Sequence, residues 1–111
     1  SGLAWDLKQG SPLRFDVTDR VDAPGTYTAT FQWKGGSSAL KIHSVKLYEG
    51  DWEVAADVHE GWTGVENNRN SYTLVLKKYR TNLDSYTLKA EVSGASGADS
   101  QGEMILKKNE N

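Results

Sequence analysis

Apolar and polar residues alternate with period two in short runs that are separated by Gly, Pro, Asn and Asp. This is how half-buried antiparallel strands read. Leu13, Phe15 and Val17 share one face, with Arg14, Asp16 and Thr18 opposite. After Asp22-Ala-Pro-Gly25, a turn in which Pro fixes φ and Gly accepts a positive one, Thr26 to Lys34 alternates cleanly. Tyr27, Ala29, Phe31 and Trp33 point one way and Thr26, Thr28, Thr30 and Gln32 the other.

Gly35-Gly-Ser-Ser38 turns the chain into Ala39 to Glu49, where Leu40 and Ile42 are in phase but Val45 and Leu47 are shifted by one residue. A β-bulge near His43-Ser44 restores the inward set. Gly50-Asp51 predicts a tight hairpin turn, and Trp52, Val54, Ala56 and Val58 form the next inward row. Tyr72, Leu74 and Leu76 predict one further strand, and Tyr86, Leu88, Ala90 and Val92 another. A last strand, about Glu103 to Lys107, follows the Gly-rich stretch Gly94 to Gly102, and a short one is expected around Ala4 to Lys8.

About eight strands and no sustained helical stripe predict an all-β fold, an antiparallel β-sandwich of immunoglobulin-like or jelly-roll-like type. Its expected core is Phe15, Val17, Tyr27, Phe31, Ile42, Val45, Leu47, Val54, Leu74, Leu76, Leu88, Ala90 and Val92. With no internal repeat or linker, residues 3–108 read as one domain. Ser1-Gly2 reads as a cloning remnant and residues 109–111 as a tail.

The 111 residues suffice for one core without staples. Cysteine is absent, which excludes disulfides, thiol nucleophiles and thiolate metal sites. The 13 basic and 15 acidic side chains are interspersed, so no basic stripe tracks phosphates and nucleic acid is not an expected partner. No apolar run approaches the roughly 20 residues of a membrane span.

Candidate chemistry is sparse. No carboxylate pair stands out for glycoside hydrolysis, and Gly-x-Ser-x-Gly does not occur in a strand-to-helix setting. The expectation is therefore a domain that is not an enzyme and has no cofactor. The segment Asp57-Val-His-Glu-Gly-Trp-Thr-Gly64 is the most unusual. In the alternation above, Glu53, Asp57 and His59 share the outward face, so a carboxylate lies two residues from an imidazole. That pair could hold a metal or bond a sugar hydroxyl, but one strand supplies too few ligands for a closed site, and bracing of the loop backbone is the preferred reading. Asp99 and Ser100 offer oxygen ligands for calcium, yet local side-chain-to-backbone bonds in a hairpin loop account for them more simply. No metal is therefore expected at either place.

Four tryptophans invite a carbohydrate platform, since an indole face stacks on the C–H face of a sugar while its rim stays wet. Periodicity turns Trp33 and Trp52 inward and leaves Trp62, Trp5 and Tyr79 as candidates for exposure. The expected ligand-facing set is Trp62 with Asp57, His59 and Asn68, at one end of the sandwich.

Five segments, Gly25-Thr-Tyr-Thr-Ala-Thr-Phe31, Leu40-Lys-Ile-His-Ser-Val-Lys-Leu47, Asp57 to Gly64, Tyr86-Thr-Leu-Lys-Ala-Glu-Val92 and Asp99-Ser-Gln-Gly102, also carry a resemblance in that order. Together they resemble the carboxyl-terminal all-β domain appended to glycoside hydrolases of gut Bacteroidetes, notably family 20 β-N-acetylhexosaminidases, over Leu13 to Leu106. The resemblance implies a non-catalytic accessory module of a secreted glycosidase, periplasmic or extracellular. Within the resemblance three roles compete: binding a glycan, docking on the adjacent catalytic domain of the same polypeptide without a ligand of its own, and spacing that domain from the cell surface. The resemblance carries over no ligand-binding residue, and the Asn-rich Gly64 to Ser71 loop is longer than the family's pattern.

Overall fold

The computed structural model describes residues 1–64, 70–80 and 85–110. Nine strands are found among them: β1 (Leu3–Asp6), β2 (Leu13–Asp16), β3 (Gly25–Gly36), β4 (Leu40–Glu49), β5 (Trp52–Asp57), β6 (Gly61–Thr63), β7 (Ser71–Leu76), β8 (Tyr86–Gly94) and β9 (Ser100–Lys108). They form two antiparallel sheets packed as a sandwich, one in the order β1-β9-β3-β7 and the other β2-β8-β4-β5, with β6 also paired to β4.

The inward rows meet as the alternation predicts. Phe15 of one sheet meets Phe31 of the other edge to face at 6.1 Å, and Phe31 meets Tyr72 at 6.2 Å, the perpendicular geometry that aromatic quadrupoles prefer. Every expected core residue is buried except Val54, which is half-buried against the core. The irregularity expected in β4 is present, because its pairing with β8 shifts between Ile42 and Ser44. That extra residue lets Leu40, Ile42, Val45 and Leu47 all face inward.

A second bulge was not legible in the sequence. The β4–β5 ladder shifts between Leu47 and Tyr48, with Leu47 opposite Ala55 and Tyr48 opposite Glu53, so Val54 is the extra residue. The remainder of β5 changes phase. Ala55 packs on the core, Ala56 and Val58 are exposed, and Asp57 lies opposite the buried Val45. The predicted inward row is thereby corrected at Ala56 and Val58, as is the outward placement of Asp57.

Trp5 differs as well, being only 2 % exposed where exposure was expected. Strand β1 pairs with β9 so that Trp5 lies opposite Gly102. A Cβ on Gly102 would stand 2.6 Å from Cζ2 of the indole, so the missing side chain makes the slot into which the ring fits. Beyond β1 the chain forms a 3-10 turn over Leu7–Gln9, capped by the Asp6 carboxylate accepting from the Lys8 amide at 2.9 Å, in place of a longer strand. Strand β9 starts at Ser100, earlier than predicted, and turns that hydroxyl into the interior with no partner among the described residues. Ser100 therefore makes no local loop bond. It is the carbonyl of Asp99 that ties the loop, accepting from the Ser38 amide at 2.9 Å.

Candidate functional site

Trp62 lies on β6, a three-residue strand where a loop was expected. Its neighbour across the ladder is Lys41, near the start of β4, and on the other side of Lys41 is Ser93 of β8. Gly61 and Thr63 are buried on either side while the indole is 40 % exposed, so register directs the ring to the outer face of the sheet. Gly64 serves packing, since a Cβ there would come within 2.9 Å of the Ala39 methyl.

The indole borders an open groove of about 480 Å³ lined by Ala39, Lys41, Glu60, Gly61 and Ala95. Beside it, the His43 ring is held at both nitrogens, with Nδ1 2.7 Å from Glu60 Oε2 and Nε2 2.8 Å from Ser93 Oγ. When Nδ1 carries the proton toward the carboxylate, Nε2 accepts from the serine hydroxyl, which is the connectivity of a nucleophile, its base and an orienting acid. Acyl transfer also needs donors preorganised for an oxyanion, commonly supplied where a strand breaks into a helix. Ser93 instead lies within a paired stretch of β8. We read the array as a cross-strand brace that leaves the Glu60 carboxylate in the groove beside the Trp62 ring. Sequence reasoning missed it because Glu60 and Ser93, 17 and 50 residues along the chain, reach His43 only through the pairing of distant strands.

Asp57 and His59 are brought together, with Nδ1 2.8 Å from Oδ1, but they are turned elsewhere. The second Asp57 oxygen accepts from the Thr73 amide of β7 at 2.8 Å, and the His59 ring stacks on Tyr72 at 3.9 Å. The pair thus joins the edges of the two sheets, a brace between strands where sequence favoured bracing of the loop backbone, and neither residue lines the Trp62 groove. Asn68 lies outside the described residues. Among the described residues no three His, Asp or Glu side chains converge on a cation position, and no helix is long and apolar enough to cross a membrane.

A second, larger cleft of about 550 Å³ opens at the other end of β4, lined by Glu49, Asp51, Trp52, Val54, Lys78 and Arg80. Trp52 is 77 % exposed there, although the alternation turned it inward. Its inward side was assigned correctly. Trp52 pairs with Glu49, two residues beyond the buried Leu47, and at this position the opposite sheet has ended, since β7 stops at Leu76. Behind the cleft Tyr79, the other aromatic expected to be exposed, is half-buried and stacked on Tyr86 at 5.7 Å. Tyr86 donates its hydroxyl proton to Glu49 Oε2 at 2.7 Å.

Burial, and secondarily the bond to Glu49, push the Tyr86 phenol up to about 12. The neutral phenol is the form the fold favours. Its stabilising contribution is whole below the unfolded-state value near 10 and is lost as pH rises through about 12. Ultraviolet titration should therefore show a late tyrosinate step at about pH 12 that Tyr86→Phe removes. A step that survives the substitution would assign the shift to another tyrosine.

No protein-family model and no curated protein sequence matches the chain.

Proposed function

We propose that the domain is a non-catalytic accessory module of a secreted glycoside hydrolase of the β-N-acetylhexosaminidase type, acting in the periplasm or outside the cell, and that it engages carbohydrate through Trp62. The observation that carries the glycan reading is the half-exposed indole on the outer sheet face, beside a groove with Lys41 and Glu60 at its margin. An apolar ring face with a few polar groups around it suits a pyranose, whose hydroxyls both donate and accept. The ordered segments that resemble the hexosaminidase domain support the parent enzyme. The non-catalytic part rests on the lack of cysteine and of a nucleophile elbow in the sequence.

Docking on the adjacent catalytic domain is the second reading. It is favoured by Val58 and Val75, 70 % and 51 % exposed, which follow the Asp57 and Thr73 partners closely along the side where β5 meets β7. Interdomain faces are typically of this mixed, partly apolar kind.

Trp62→Ala and Val58→Asp separate the two. For a glycan site, binding of the isolated domain on a glycan array falls about tenfold, while its melting temperature stays near wild type as for other surface changes. For a docking face at Val58 and Val75, no glycan binds and it is Val58→Asp, not Trp62→Ala, that costs the full-length enzyme stability. If neither happens, the assignment to Trp62 fails.

A further inference from the structure

We propose that the cleft at Trp52 is a second, separate binding site, and that it takes a neutral hexopyranose unit. Three observations carry this. The first is the indole itself, at 77 % the most exposed large apolar side chain among the described residues. It stands at the mouth of the sandwich, where β7 of the other sheet has ended at Leu76 and no strand among the described residues faces the inward side of β5. Exposing an indole there forgoes its burial, and stacking on the C–H face of a sugar ring recovers part of that apolar contact.

The second is the balance of polar groups. Glu49 and Asp51 accept hydrogen bonds, and Lys78 and Arg80 donate them. Neighbouring sugar hydroxyls each donate and accept, so a carboxylate beside a guanidinium is complementary to a vicinal diol. Among the described residues an anionic sugar would meet two carboxylates as well as two cations, and a cationic one the reverse. The uncharged ring is the ligand that this set favours.

The third is preorganisation. The Glu49 side chain is only 11 % exposed, and its carboxylate is fixed by the Tyr86 hydroxyl at 2.7 Å. The same hydroxyl oxygen accepts from the Arg80 amide at 3.4 Å, and Arg80 Nε lies 3.9 Å from Glu49 Oε1. The buried phenol, itself stacked on Tyr79, thus fixes the Glu49 carboxylate and the Arg80 backbone, while the Arg80 side chain is 64 % exposed and free to reach a ligand. A site whose polar groups are already in place loses less entropy on binding. The cleft volume of about 550 Å³ suits one or two pyranose rings.

This site does not rest on the Trp62 reading. Trp62 pairs with Lys41 and Trp52 with Glu49, so about eight strand residues, or roughly 25 Å, separate them along β4. If both sites bind, one long glycan could engage them together.

The test uses the indole N–H resonances of the four tryptophans, assigned by single Trp→Phe variants, so that each site reports on its own. The labelled domain is titrated with glucose, galactose, mannose and N-acetylglucosamine, and with sodium glucuronate at matched ionic strength. The expected result is a saturable shift of the Trp52 resonance with at least one neutral sugar, weakened about tenfold in Glu49→Gln and in Arg80→Ala while both variants keep a cooperative melt. Glucuronate should bind more weakly. No saturable Trp52 shift with any of the four neutral sugars overturns the proposal, as does tighter binding of glucuronate. A shift confined to Trp62 would also overturn it, while leaving the Trp62 site standing.

Discussion

Replacing Gly102 by Ala is expected to destabilise the domain by about 3 kcal/mol, the upper part of the usual range for overpacking a full site. The added methyl would overlap the Gln32 carbonyl oxygen of the adjacent strand and stand 2.6 Å from Trp5 Cζ2. The carbonyl belongs to the β3–β9 ladder, and the indole fills its slot at 2 % exposure, so strand or ring must move. Both movements uncover Trp5, which gives a second readout besides the melting temperature. The emission maximum of the folded variant should shift to the red as the melting point falls by roughly 10–20 °C. Gly35→Ala is the control, because a methyl there meets nothing within 4 Å. Equal stability of Gly102→Ala and Gly35→Ala would show that Gly102 is not the slot that seats Trp5.

Removing the Asp57 carboxylate should cost about 2 kcal/mol, within the range for hydrogen bonds to charged groups and discounted for partial exposure. Asp57 joins β5 of one sheet to β7 of the other, two edges with no ladder between them, through the Thr73 amide at 2.8 Å. It also holds His59 against Tyr72. In urea unfolding, Asp57→Ala should show the full loss. Asp57→Asn keeps an acceptor for Thr73 and should lose about half as much. Hydrogen exchange at the Thr73 amide should quicken in the alanine variant first. An alanine variant as stable as wild type would mean that core packing alone closes this flank.

Both effects depend on positions where the chain departs from simple alternation, and such departures also divide what the sequence conveyed from what it did not. The Leu40/Ile42 against Val45/Leu47 phase shift is visible because four apolar residues mark it, so the bulge at His43-Ser44 could be placed in advance. The bulge at Val54 could not. Its strand reads Trp-Glu-Val-Ala-Ala-Asp, where Val and two adjacent alanines fit either register. One residue of slip reverses every side chain beyond it. Asp57 moved in this way from the expected outward face to a brace between the sheets.

The sequence by itself determined the class of fold, the two inward faces, the core they form and the hairpin at Gly50, because these depend on burial of local periodic patterns. It also singled out Trp62 and the Asp57-His59 pair as unusual. The tertiary structure alone decided which aromatics are covered. Trp5 and Trp52 were assigned opposite fates from what the fold gives them, since exposure depends on what stands across from a side chain. Gly102, far along the chain, vacates the space for Trp5, and the end of β7 at Leu76 leaves Trp52 without a facing strand. Alternation states which side of its own strand a residue is on. Only the pairing of distant strands settles whether that side is filled by protein.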